Sequence, residues 1–452
     1  MMGQAVDQQD RLFYEFNLDE RVPATHLLRR IDAVLDLSWL RGELKPYYSH
    51  TGCPSIDPEL MIRMLLVGYC YSVRSERRLC QEVELNLAYR WFCRLGLEDK
   101  IPNHSTFSVN RHGRFRDADV LRQVFESVVC QCMEAGLVGG EGFAVDASVI
   151  EANASRFQRV DGSEIDWSEE QLARHAIQEY VAALESENSP LNPDKLPKAL
   201  SPSDPAAAWT RRGRNKVMFG YSLNYLIDME GTVIVDVEAT PTRISKEVDA
   251  AETMLQRTEE RFALKPERIA GDVAYGTGEM LGWLVAHDID PHIPVWDRSE
   301  VAAKGKFSRN DFSYDKERDL YVCPGGKELK TSGTVHDGTT IKYIAKRSDC
   351  RQCPLKPQCT TGRERRVSTD VNQEARDYTQ ALMETDAYRQ SNIDRKQIER
   401  LFGEAKSQLS MTRLRLRGLS GARDEFLLTA TVQNLKRLVE RVAIPPPRAV
   451  IA

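Results

Sequence analysis

One carboxylate set inside an apolar β-type run constrains this chain more than any other feature. Residues Phe143-Ala144-Val145-Asp146-Ala147-Ser148-Val149-Ile150 read as a strand interrupted by a single acid. Burying a carboxylate costs free energy unless something compensates it, so the fold must bring partners to Asp146. The pattern differs on the two sides of this strand. Residues 24–137 read as nearly all helix: Leu27, Leu28, Ile31, Val34 and Leu35 recur at helical spacing, and Asp57-Pro58 supplies an N-cap followed by proline. Ser75 starts a further helix that runs to about Arg94. After Gly142, strands and helices alternate: strands over 219–227 and 233–239 joined through Met229-Glu230-Gly231 as a hairpin, a helix over 249–262, a strand over 268–272, a helix over 279–287 and a strand over 292–295. Helices return over 394–408 and 423–441.

At 452 residues the chain is about three domains' worth and can bury a large core. Its start lacks the basic and apolar regions of a signal peptide, and no apolar run is long enough to span a membrane, so a soluble cytoplasmic, nucleoid-associated protein with no membrane partner is expected. The net charge of −5 hides a segregated field. Residues 161–204 carry −7, which leaves +2 on the rest. This stretch, with the capping box Ser168-x-x-Gln171 and a Pro/Ser-rich loop, reads as an acidic insertion over 157–208. Basic charge gathers at Arg211, Arg212, Arg214 and Lys216, and from Arg395 to Arg417, where seven Lys/Arg face only Glu399 and Glu404. The first cluster is either a set of DNA-phosphate contacts or a solvated basic loop.

A short basic helix over 105–114, carrying Asn110, Arg111, His112 and Arg114, follows a helix and a turn. It fits either a helix-turn-helix, with Arg111 and Arg114 facing DNA, or a helical bundle with a solvated basic face. Six of the ten cysteines, Cys53, Cys70, Cys80, Cys93, Cys130 and Cys132, fall mostly within helical patterns, as small buried hydrophobes do. Cys350-x2-Cys353 is a common zinc half-site, which Cys359 and Cys323 complete as four thiolates; the alternative is four reduced, metal-free thiols. His104, His287 and His292 show no ligand spacing and read as structural or exposed.

Three acids stand out by context: Asp146 in its strand, Asp272 where a strand ends in Gly271-Asp272-Val273-Ala274-Tyr275-Gly276, and Glu399 on a helix. They lie 126 and 127 residues apart, so only a fold can unite them. Converging carboxylates suit Mg²⁺, a hard cation that prefers oxygen ligands. At roughly 100° per residue, Arg395, Glu399 and Lys406 share one helix face beside the apolar stripe Ile398, Leu401, Phe402, Ala405 and Leu409. An acid flanked by two bases suits a site for metal and DNA phosphate; it also suits a surface ion pair.

The order Asp146 in a strand, Asp272 followed by Tyr275-Gly276, and Arg395-x3-Glu399-x6-Lys406 in a late helix resembles the DDE transposases of bacterial insertion sequences. So do 145–154, Asp236-Val237-Glu238-Ala239-Thr240-Pro241, 350–360, Pro54-Ser55-Ile56-Asp57-Pro58-Glu59 and Arg74-Ser75-Glu76-Arg77-Arg78-Leu79, and the similarity runs from about 13 to 440. One departure stands: Asn392 occupies the position of the tyrosine in the family's Tyr-x2-Arg-x3-Glu-x6-Lys signature, with Tyr388 four residues earlier. The resemblance implies an α/β RNase H-like, retroviral-integrase-like core with insertions, preceded by an all-α domain. The divisions expected are 1–137 helical and binding DNA ends, 138–296 the first part of the core, 297–390 the Cys-containing insertion, 391–441 the helices with Glu399, and 442–452 a tail.

It further implies a transposase that binds the terminal inverted repeats of its element, cleaves there and joins the 3′-OH to target DNA. Asp146, Asp272 and Glu399 would hold Mg²⁺ or Mn²⁺, as two ions, while Arg395 and Lys406 would hold DNA phosphate. Partners implied are double-stranded DNA, at element ends and target, and a second copy of the chain in a synaptic dimer or larger assembly. Two rivals are a catalytically silent or domesticated DNA-binding derivative and a metal-dependent nuclease without strand transfer.

Overall fold

A computed structural model describes residues 16–49, 51, 55–185, 196–212, 216–295 and 306–441. The N-terminal part is helical, as its periodicity predicts: α1 (Leu18–Arg21), α2 (Leu27–Val34), α3 (Leu40–Leu44), α4 (Pro58–Cys70), α5 (Glu76–Leu85), α6 (Leu87–Phe92), α7 (Ser105–His112), α8 (Arg114–Asp117) and α9 (Val120–Glu134). Asp57 caps α4 by accepting from the Glu59 amide, and Pro58 stands at the first helical position, where its missing N–H costs nothing. The single helix expected from Ser75 to Arg94 is two. Asn86 takes an extended backbone, ends α5, and starts α6 by accepting from the Ala88 and Tyr89 amides.

Next comes a six-stranded sheet: β1 (Gly142–Glu151), β2 (Ala208–Arg212), β3 (Lys216–Asp228), β4 (Ile234–Pro241), β5 (Arg268–Ala270) and β6 (Asp290–His292). Strand β1 is central. It pairs antiparallel with β3 and parallel with β5; β5 pairs parallel with β6, and both β2 and β4 lie antiparallel on the far edge of β3. Between β1 and β2 lie α10 (Glu169–Leu172), opened by the expected Ser168/Gln171 capping box, and α11 (His175–Glu185). Helix α12 (Ile244–Phe262) follows β4, and α13 (Gly278–Ala286) separates β5 from β6.

The stretch after 305, expected from sequence only as a Cys-containing insertion, forms a second sheet. Strands β7 (Ser313–Asp315), β8 (Leu320–Val322), β9 (Glu328–His336), β10 (Thr340–Ala345) and β11 (Arg366–Asp370) pair antiparallel in the order β11-β10-β9-β8-β7. Its core is small: Phe312, Tyr321, Leu329, Tyr343, Ala345 and Val367. Short strands with few buried positions leave little hydrophobic signal to read: β7 buries none and β9 only Leu329. Helices α14 (Arg347–Arg351) and α15 (Lys356–Cys359) interrupt this sheet, and α16 (Gln373–Leu382), α17 (Asp386–Asp394), α18 (Lys396–Ser407) and α19 (Gly418–Arg441) close the chain.

Side chains alternate along β1, and so do the cores they enter. Phe143 and Val145 join the layer built with α12 and α13; Ala144 and Ile150 join the layer of α18, α19 and the N-terminal helices. Helix α19 is buried along most of its length. Its Asn434 pairs with both backbone groups of Ile234 (2.9 and 2.8 Å), and its Gln433 accepts from the Tyr225 hydroxyl at 2.8 Å. The N-terminal helices therefore share one continuous core with the sheet. No helix among the described residues is long and apolar enough to cross a membrane.

Candidate active site

Register brings the first two acids together. Strand β1 aligns Phe143 with Ile269 and Ala144 with Ala270, and two residues further this parallel register sets Asp146 beside Asp272. Asp146 stays on the strand, its Oδ1 accepting from the Ala147 amide at 2.8 Å. Asp272 has just left β5. It caps the short turn Val273–Tyr275, accepting from the Ala274 amide at 2.8 Å.

Glu399 arrives on α18, which packs by Ile398, Leu401, Phe402 and Ala405 against the face of β1 that carries Asp146. The same helix delivers two cations. Arg395 Nη1 lies 3.4 Å from Asp146 Oδ2, and its Nη2 lies 4.0 Å from Glu399 Oε1. Lys406 Nζ donates to the Ser148 hydroxyl. Arg395 and Lys406 thus face β1, where they meet Asp146 and Ser148, while Glu399 stands exposed beside Arg395. Sequence reading missed Ser148, although it stands two residues past Asp146 and so on the same side of the strand.

Burial raises the Asp146 carboxyl to about 6; the Ala147 amide and Arg395 oppose this, while Asp272 and Glu399 push it further up. Tyr275 is a second residue the sequence reading did not assign. Its phenol is fully buried with no hydrogen-bond partner among the described residues, and its pKa is driven up by burial and then by Asp146, Glu247 and Asp272. The sequence signal was its place three residues after Asp272.

The remaining candidates are placed as follows. Arg111 is buried in ion pairs with Glu76 and Asp424, so it is a structural link to α19 and not an exposed face of a recognition helix. Arg114 donates to the Ser55 hydroxyl at 2.9 Å and stacks on Tyr48. Arg211 is exposed on β2; Arg214 and the side chains of Arg212 and Lys216 lie outside the described residues. Asn392 donates to the Tyr388 carbonyl at 3.0 Å, and Tyr388 is buried against His292. Of the N-terminal cysteines, Cys70, Cys93 and Cys132 are buried, Cys80 is half-buried, Cys130 is exposed and Cys53 lies outside the described residues.

Cys323, Cys350, Cys353 and Cys359 line one small cavity of about 30 Å³. The Lys327 amide donates to Cys323 Sγ at 3.3 Å and the Arg365 amide to Cys350 Sγ at 3.4 Å. Among the described residues, no group of three or more His, Cys, Asp or Glu side chains is set to hold a metal ion as it stands. A larger cavity, about 560 Å³, opens between the start of α13 and β10, β11 and α16, and contains none of the three acids.

A family model described as Transposase domain (DUF772) matches residues 16–113, and one described as Transposase DDE domain matches residues 322–439, which include Glu399. A solved structure, the cryo-EM structure of piggyBac transposase synaptic complex with hairpin DNA, is similar at a TM-score of 0.36 and 10% identity, over 92% of this chain and 74% of that one. So loose a likeness carries no weight for the site. With a transposase domain over its helical N-terminal part and a DDE domain over the Glu399 helix, the chain is a DDE-type transposase.

Proposed function

We propose that this transposase binds the terminal inverted repeats of an insertion sequence, cleaves DNA there with divalent metal and joins the freed 3′-OH to target DNA. The observation that supports it is that Asp146 feels the charges of both Asp272 and Glu399, with Arg395 between Asp146 and Glu399. The strand order β4-β3-β1-β5-β6, antiparallel on one side of β1 and parallel on the other, supports an RNase H-like core.

The donor set fits a hard cation. All three groups are carboxylates, and Asp146 is buried among like charges that favour an added positive charge. Two Mg²⁺ or Mn²⁺ ions held there would activate the attacking oxygen and stabilise the leaving one. The chain's own residues do the rest. Ser148 orients Lys406, and Lys406 and Arg395 offer their charge to DNA phosphate across the same face. With metal on the acids, Arg395 would be free to offer its guanidinium to phosphate instead of to Asp146 and Glu399. Hydrolysis and strand transfer use this one site because both are in-line attacks by oxygen on a phosphodiester. Joining two element ends requires a second copy of the chain.

The test is cleavage of a labelled duplex taken from the DNA flanking the gene. Asp146→Asn, Asp272→Asn and Glu399→Gln should each bind it and fail to cut it; a variant that cuts at the wild-type rate removes that acid from the site.

The four late cysteines support structural zinc. They line one cavity, and backbone amides point at two of the sulfurs, as they do at thiolate ligands. Zinc would draw the four sulfurs together and contribute folding energy to the inserted sheet, whose core is small. Purified protein should carry about one zinc per chain, as structural sites of four thiolates do, and a chelator should lower its thermal midpoint. Metal-free protein with an unchanged midpoint would mean four structural thiols.

A further inference from the structure

The sequence Arg413-Leu414-Arg415-Leu416-Arg417 alternates basic and apolar residues, and the structure turns that alternation into a surface. Leu414 is buried and Leu416 half-buried, while Arg413, Arg415 and Arg417 are all exposed. This segment follows α18, the helix of Glu399 and Lys406, and it is held against the end of β1. The Glu151 amide donates to the Thr412 carbonyl (3.2 Å), the Leu414 amide to the Glu151 carbonyl (2.7 Å) and Asn153 Nδ2 to the Arg415 carbonyl (2.7 Å).

Its inner side is fixed as firmly. Glu425, fully buried, accepts from the Arg415 and Leu416 amides at 2.6 and 2.7 Å and pairs with Arg74 at 2.8 Å. Arg74 in turn donates to the Ser410 and Arg413 carbonyls. The backbone of this segment is thus engaged on both sides, and what it presents outward is guanidinium. Among the described residues no carboxylate stands within ion-pair distance of Arg413 or Arg415. Arg156 and Arg159, on the loop beyond Asn153, are exposed as well and lie over the Phe157 and Trp209 rings.

Resting on the transposase reading, we propose that 413–417 is an arginine rail for the DNA backbone, which carries the bound duplex away from the catalytic acids. The backbone bends at Arg415 and Leu416, whose amides both reach Glu425, and the three arginines remain exposed around that bend. The rail begins where β1 ends, five residues beyond Asp146, so a strand gripped at Arg395 and Lys406 continues onto it. Guanidinium groups reaching phosphate give affinity and position without reading sequence.

Arg417 also donates to the Asn153 carbonyl, so the test uses the other two. Full-length wild type, Arg413→Gln/Arg415→Gln and Arg413→Lys/Arg415→Lys are titrated with a labelled duplex of arbitrary sequence across a range of salt concentrations. Each phosphate contact contributes about 0.9 to the slope of log affinity against log salt, so the Gln pair should lower its magnitude by about 2. The Lys pair should restore the slope, and all three should unfold at the same temperature. A wild-type slope in the Gln pair overturns the rail, as does a wild type that does not bind the duplex. A lowered slope in the Gln pair together with wild type that never cuts its flanking end with Mg²⁺ overturns the catalytic reading and leaves the rail standing.

Discussion

At the scale of single residues, Asp146 shows how function is set against stability. Its carboxyl, raised to about 6 from an ordinary 3.8, is ionised at neutral pH against the preference of its surroundings, a cost of roughly 3 kcal/mol. The folded state binds this proton more tightly than the unfolded chain, so the cost is absent below about pH 4 and complete above about pH 6. Asp146→Asn removes the charge and keeps the shape. It should stabilise the metal-free protein by about 1–3 kcal/mol at pH 7 in urea unfolding while abolishing cleavage. A destabilised Asn variant would mean that the Arg395 contact outweighs desolvation. The oddity of this residue was legible in the sequence, since an acid in an apolar strand announces a compensated charge. Ser148 was not legible because serine is ordinary in any strand, and Tyr275 because its burial depends on packing against Phe143 and Val145.

At the scale of elements, periodicity located α2, α4, β1 and the β3–β4 hairpin, whose apolar faces are regular. It failed where local chemistry overrode the pattern, at the Asn86 break, and where the pattern was too short, in the inserted sheet. It also read exposure into the Arg111 helix, because charge alone does not reveal that Glu76 and Asp424 wait across the interface. The neighbouring His112 makes that packing testable. It stacks on His175 of α11 with ring centroids 3.9 Å apart, and burial, helped by His175, Arg116 and Arg111, holds its pKa down to about 4 from an ordinary 6.5. Between those values the unfolded chain takes up the proton and the folded chain does not. Stability should therefore be full above about pH 6.5 and fall as pH drops toward 4. His112→Phe keeps a ring for the stack and should flatten that fall in thermal unfolding between pH 7 and 5. An equally steep fall in the variant would assign the pH dependence to other groups.

At the scale of the whole molecule, the helical N-terminal part and the six-stranded sheet share one continuous core. Helix α19 packs against α9 and β4, and the buried Arg74–Glu425 pair ties the start of α5 to α19. Removing one partner of such a pair leaves an uncompensated buried charge, which costs about 3–5 kcal/mol. Domain matches over 16–113 and 322–439 thus fall on parts that share a core, with Asp146 and Asp272 on the sheet between them. The central claim is that Glu399 completes a metal-dependent site able to join DNA. The direct measurement incubates a labelled duplex from the gene's flanking DNA with a target plasmid, with and without Mg²⁺, using wild type and Glu399→Gln. Joined product should form only with wild type and Mg²⁺, while the variant still binds the labelled end. Joined product from Glu399→Gln at the wild-type level, or end binding by wild type with no cleavage under any divalent metal, would contradict it.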